Sequence, residues 1–192
     1  MSPFGREFRE SRMTLRFDPS WRVLAFDRTD WFRRLTGQGL KGVDLLGLRE
    51  GHLWLIELKN YTPVPGVNRP DLPSPGQLLA DWQAKGKDTL RMSGVIHAAL
   101  SRHFLFRLWL WLAARWAWVR RLEPEWAFWQ DARVAREAGH HTTVLLLHGW
   151  PEHNPFQPSG KGLILPALEA PARIPGLDLW IDADGFPASE SQ

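Results

Sequence analysis

The stretch "KGVDLLGLREGHLWLIELKNY", Lys41 to Tyr61, decides how the chain is read. Two apolar runs flank Glu50-Gly51, a dipeptide suited to a tight turn, so a β-hairpin is expected with strands at about 42–49 and 52–61. With a two-residue turn, Arg49 pairs with His52, and counting outward in step sets Asp44 opposite Glu57. Directly opposed residues hold their Cβ atoms about 4.5–5.5 Å apart. The strand period of two sends Leu55, Glu57 and Lys59 to one face and Trp54, Ile56 and Leu58 to the other. Three charges therefore converge in a hairpin that is otherwise apolar enough to be buried.

Two carboxylates that close repel each other, and one titrates high unless a cation sits between them. A hard divalent ion relieves the conflict. Mg²⁺ commonly takes one or two carboxylates and keeps several waters. Lys59, one pleat along, is then placed to hold a water or to stabilise charge on a transferring phosphoryl group. The competing reading is an Asp–Lys salt bridge on a half-exposed strand, against which stands the apolar run "HLWLIELKNY" around Glu57. Burial of Glu57 on a helix-packed face, or carboxylates more than about 8 Å apart, a diagonal-pair distance, would sink the site.

Upstream, residues 1–20 are polar and basic and are expected to form an arm or a short edge strand. "WRVLAF" (Trp21–Phe26) reads as a strand, and "DRTDWFRRLTG" as a short helix with Asp27 or Thr29 as N-cap and Gly37 at its end. Downstream, the five prolines of Thr62–Gly76 exclude a regular element and predict a long loop. A helix is expected from about Gln77, with Gly86 as a weak point. Two more helices are expected in the Trp-rich segment from Phe104 to Val119 and in "EPEWAFWQDARVAREAG", where Pro124 suits the first turn and Gly139 the C-terminal cap. "TTVLLLHGW" (Thr142–Trp150) reads as a buried strand, residues 151–176 as Pro/Gly-rich, and "LDLWID" (Leu177–Asp182) as a last edge strand. The whole is a mixed α/β arrangement.

Asp44, twelve intervening residues, then Glu57-Leu58-Lys59, embedded in this order of elements, resembles the core motif of the PD-(D/E)XK nuclease superfamily. The resemblance covers roughly residues 21–100 and 142–150. Val43 stands where the motif often has proline, and no Gln-x-x-x-Tyr follows on the next helix, so it does not extend to RecB-type exonucleases. It implies a restriction-endonuclease-like fold: a central mixed sheet flanked by helices, with a Trp-rich helical hairpin at about 101–140 inserted before the last core strand. The chain, 1–192, would be a single nuclease-like domain with its core at about 21–100 and 142–182. It further implies a phosphodiesterase using Mg²⁺ or Mn²⁺, with Asp44 and Glu57 as ligands, the Leu58 carbonyl completing the site, and Lys59 assisting the attacking water. An added first-helix acid is sought at Asp30, with Asp27 as substitute, although a first-turn acid favours the helix dipole in any protein. Lys85 is the candidate auxiliary lysine.

Composition narrows the setting. Without cysteine there is no disulfide framework, thiolate zinc site or cysteine nucleophile, which suits a reducing cytoplasm. The seven histidines show no metal-ligand spacing. The N-terminus lacks an apolar signal region. A pI near 9.7, with much of the positive charge on arginine, suits phosphate partners: DNA first, RNA second. "FLFRLWLWLAARWAWV" is short for a membrane span and is interrupted by Arg107 and Arg115, each costing about 2.5–3.5 kcal/mol at mid-bilayer.

As a helix, that segment puts Leu105, Trp109, Leu112, Trp116 and Val119 on one face and Arg107, Trp111, Arg115 and Trp118 on another. Its partners are expected to be its own sheet and the helix at 124–138, a second copy of the chain or a partner protein. Membrane-surface binding and base stacking are the other two uses of such a helix. The expected activity is a DNA endonuclease. The alternative is a weak or inactive nuclease-fold subunit acting as a nucleic-acid-binding or assembly module through these helices.

Overall fold

The computed structural model describes residues 4–10, 13–37, 39–61, 73–148, 162–166 and 174–181. Arg69 of the proline-rich loop, an arginine expected to contact phosphate, lies outside them. Among the described residues, eight strands and four α-helices follow in the order β1 (Glu7–Glu10), β2 (Met13–Phe17), β3 (Arg22–Ala25), α1 (Asp30–Thr36), β4 (Leu45–Arg49), β5 (His52–Asn60), α2 (Pro75–Arg102), α3 (Phe104–Arg115), α4 (Pro124–Glu137), β6 (His141–His148), β7 (Gly162–Pro166) and β8 (Leu177–Ile181). They build two sheets. The larger has the order β3-β4-β5-β6-β7, antiparallel from β3 to β5 and parallel from β5 to β7; the smaller is the antiparallel β1-β2-β8.

The hairpin turns as its sequence requires. Glu50 and Gly51 both have positive φ, 50° and 74°, as the primed two-residue turns that match strand twist demand. Arg49 pairs with His52 and Leu45 with Ile56, the register expected from the sequence. The pleat then separates two cores. Leu53 and Leu55 join Met92, Ile96, Phe128 and Trp129 beneath the helices, while Ile56 and Leu58 pack with Met13, Leu15 and Phe17 of the smaller sheet. The mixed sheet is thus covered by helices on one face and by a second sheet on the other.

Thr29 caps α1, its hydroxyl accepting from the Phe32 N–H. Ser74 and Gln77 form a reciprocal capping box that starts α2 at Pro75, two residues before the expected point. The helix runs unbroken through Gly86, because that glycine is a contact rather than a weak point: a Cβ there would sit 3.1 Å from the Thr143 hydroxyl of β6.

Three expectations change. The Trp-rich helix stops at Arg115, where Trp116 turns extended (φ −134°, ψ 107°), and a 3-10 turn over Ala117–Arg121 follows. The face periodicity drawn to Val119 therefore fails. Phe106 and Trp109 are buried, Leu112 is half-buried, and Leu105 and Trp116 are exposed. Val119 is buried by another route, its carbonyl accepting from Trp109 Nε1 at 3.2 Å. Second, β6 is not the last strand of its sheet, since β7, inside the Pro/Gly-rich segment, pairs beside it. Third, β8 joins β2 in the other sheet, and the basic N-terminal arm supplies two of that sheet's three strands.

Candidate active site

Asp44 stands one residue before β4, in step with Glu57 on β5. Its Oδ2 accepts from the Leu58 N–H at 2.6 Å, which fixes the carboxylate against the free end of the ladder. A strand residue presents its N–H and C=O to the same edge, so the Leu58 carbonyl also faces the Asp44 side. Glu57 shares the face of Leu55 and Lys59, as the pleat dictates, and this is the face that α2 covers.

The Glu57 side chain is only 1% exposed on the face that α2 covers, which is the burial that counts against a site sharing an ion between Asp44 and Glu57. The cover is not hydrocarbon, however. Lys85 of α2 donates from Nζ to Glu57 Oε1 at 2.6 Å, and Lys59 Nζ lies 3.0 Å from the same oxygen. Helix packing sets this cluster: Leu78 and Trp82 lie on Leu145 and Leu147, Gly86 meets Thr143, and Lys85 reaches across to β5. The second oxygen, Oε2, is buried and accepts no hydrogen bond from the described residues. Buried polar atoms are nearly always paired, and Glu57 Oε2 is one of five buried side-chain atoms with no hydrogen-bond partner among the described residues.

The electrostatics agree with close packing of like and unlike charge. Burial pushes the Asp44 carboxyl up to about 6, and the neighbouring Glu57 charge adds to this; the Leu58 N–H, Lys85 and Lys59 pull the other way. Burial works against the Lys59 ammonium, but the Glu57 carboxylate outweighs it and raises Lys59 above the usual lysine range. Two carboxylates and a backbone carbonyl form an all-oxygen donor set, which suits Mg²⁺ or Mn²⁺. No cluster of three or more His, Asp or Glu able to hold an ion occurs among the described residues, so water would have to supply the remaining ligands.

Asp30 is not part of this group. It occupies the first turn of α1, largely exposed and paired with Arg33, where its charge favours the helix N-terminus. Asp27 is nearer: with Asp44, Leu45 and Leu58 it lines a small crevice between β3 and the hairpin.

Two contributors were not foreseen. Asp81, one turn before Lys85, pairs with Lys41 at 2.7 Å; that hydrogen bond holds its carboxyl below the usual range, with smaller help from Lys85 and Lys59. Thr89 is fully buried, donating to the Lys85 carbonyl at 2.7 Å and accepting from the Val43 N–H at 3.0 Å. It therefore ties the helix turn that carries Lys85 to the residue before Asp44. A buried threonine among apolar helix positions was the available signal. Thr89→Val, nearly isosteric, strands the Val43 N–H and is expected to cost about 1–3 kcal/mol in denaturant unfolding. An unchanged midpoint and slope would show that this tie carries no weight.

No family model, curated protein or solved structure matches the chain.

Proposed function

We propose that the chain is a metal-dependent phosphodiesterase with a restriction-endonuclease-like core, cutting DNA internally. The reading rests on one observation above the others: a buried carboxylate, Glu57, keeps one oxygen unpaired beside Asp44 while two ammonium groups hold the other. The mixed sheet and the order strand, helix, hairpin, long helix, strand support the same fold.

Asp44, Glu57 and the Leu58 carbonyl would hold Mg²⁺ or Mn²⁺, which when bound acidifies a coordinated water and neutralises charge on the scissile phosphate. The chain's own part is positional and electrostatic. Lys59, about a third exposed and anchored by Glu57, presents donors toward solvent for the attacking water or a phosphate oxygen. Lys85 is more enclosed, 18% exposed, and holds the Glu57 carboxylate in one orientation. The Asp44–Leu58 hydrogen bond does the same for the second carboxylate.

One observation favours the alternative of an inactive module. A 1% exposed glutamate shared by two lysines is also the arrangement of a structural ion-pair cluster. Such a cluster would be expected to satisfy both oxygens. Cleavage of supercoiled plasmid with Mg²⁺ or Mn²⁺ by the parent and by Lys59→Ala separates the two.

A further inference from the structure

The helix α3 carries apolar residues on both its inner and outer sides, with Arg107 and Arg115 as its two charges, yet only one side is covered. Phe106, Trp109 and Ala113 turn to the protein core. On the opposite side Phe104, Leu108, Trp111 and Arg115 follow at steps of four, three and four, forming one stripe. Phe104 is 70% exposed and Trp111 59%, with Leu105 and Leu122 also open to solvent. A helix of this kind calls for a second apolar partner.

Charge identifies that partner. From Thr89 to Leu122 no Asp or Glu occurs, against six arginines. Of these, Arg102, Arg107, Arg115 and Arg121 are exposed and make no ion pair among the described residues. A twofold dimer through this stripe would bring at least four exposed arginines of each copy together, with Glu123 as the exposed acid that adjoins the segment and too few carboxylates to neutralise them. A single-stranded nucleic acid would use the flat rings and the guanidinium groups but gain little from Phe104, Leu105 and Leu108. An anionic bilayer surface matches both features, taking aliphatic and aromatic side chains at the acyl boundary and guanidinium groups at the phosphates.

We infer that α3 and the 3-10 turn after it form a peripheral docking face for anionic phospholipid. No helix among the described residues is long and apolar enough to cross a membrane, so the helix would lie in the interface plane. The face sits beyond the C-terminal end of α2, about 25 Å along that helix from Lys85, and does not depend on the catalytic reading.

Flotation tests it, using phosphatidylcholine vesicles with and without phosphatidylglycerol. Partition of the full chain onto the mixed vesicles is expected to exceed that onto neutral ones by at least about tenfold, and to weaken with salt. The double variant Phe104→Ser/Trp111→Ser should lose about tenfold or more of this binding while its melting curve stays that of the parent, since Phe104 is 70% and Trp111 59% exposed. Arg107→Glu/Arg115→Glu should abolish the preference for anionic vesicles. Absence of binding to either vesicle, or binding unchanged in the Phe104/Trp111 variant, overturns the inference. So does a dimer in sedimentation velocity that this variant dissociates.

Discussion

Supercoiled plasmid incubated with the pure protein and Mg²⁺ or Mn²⁺ is expected to be nicked, and Lys59→Ala to slow that nicking by about 10²–10³. The expected loss is large because Lys59 is the partly exposed cation of the cluster, with its ammonium 3.0 Å from Glu57 Oε1 and a third of its side chain open to solvent. Folding should survive the change, since Glu57 keeps Lys85 at 2.6 Å. Metal binding, followed by calorimetry, should survive as well, because both carboxylates remain.

Glu57→Gln should lose cleavage and metal binding together. It also leaves two ammonium groups without their shared counter-charge, at a cost of about 3–5 kcal/mol, so it is interpretable only if the circular dichroism spectrum is native. DNA affinity should change little in either variant, because it rests on Arg and Lys contacts to phosphates and falls steeply with salt. Cleavage by Lys59→Ala at the parent rate would expose a contaminant. Failure of the parent to cut duplex, single-stranded or branched DNA, or RNA, would transfer the assignment to an inactive module.

The parts of this site that were legible in the sequence are the local ones. A two-residue turn and a period of two suffice to place Asp44 opposite Glu57 and Lys59 beside it, and both rules act within twenty residues. What covers that face is a tertiary matter. Lys85 could be named as a basic residue on the following helix, but its contact with Glu57 depends on how α2 crosses β5 and β6. That crossing is set by Gly86 against Thr143, a pairing of residues far apart in the chain. The same limit explains Asp30 and Asp27. Helix geometry alone makes both first-turn acids, and only the path of the 3-10 turn over Phe26–Arg28 puts Asp27 at the Asp44 crevice.

At fold level, "MTLRF" buries Met13, Leu15 and Phe17, and Thr14 between them as well, leaving Arg16 alone exposed. Its partner β8 begins at Leu177, at the other end of the chain, so the second sheet could not be read from local pattern. The Trp-rich helix misled for the opposite reason. Its apolar period continues past Arg115, but the backbone does not, and Trp116 is carried out of the face to which its position in the sequence assigns it.

The stability of the parent protein is expected to fall as pH rises from about 4 to about 6, and Asp44→Asn to remove that fall. The Asp44 carboxyl is pushed up to about 6 by burial first and by the Glu57 charge second. Between its unfolded and folded titrations the native protein therefore holds a proton that the unfolded chain has released. The unfolded state then binds fewer protons, so raising the pH favours unfolding, and the penalty is complete above about 6. Each pH unit of difference is worth about 1.4 kcal/mol, giving a ceiling near 3 kcal/mol. Asp44 is only partly buried and solvent screens it, so about 1–2 kcal/mol is the expected size. At pH 8 Asp44→Asn should thus melt several degrees above the parent, at about 2–4 °C per kcal/mol for a chain of this length; at pH 4 the two should coincide. Divalent cation should invert the order. Ions that bind only the folded, deprotonated site stabilise the parent in proportion to occupancy, while the Asn variant lacks the charge to hold them. Mg²⁺ or Mn²⁺ should raise the parent's melting temperature at pH 8, progressively less as the pH drops through 6 and protons compete for Asp44. A parent-minus-variant difference that is flat from pH 4 to 7 would show an ordinary, solvated Asp44, whereas His97, lowered by burial, contributes an opposite slope to both proteins alike. Equal stabilisation of parent and variant by the cation would place the binding site elsewhere.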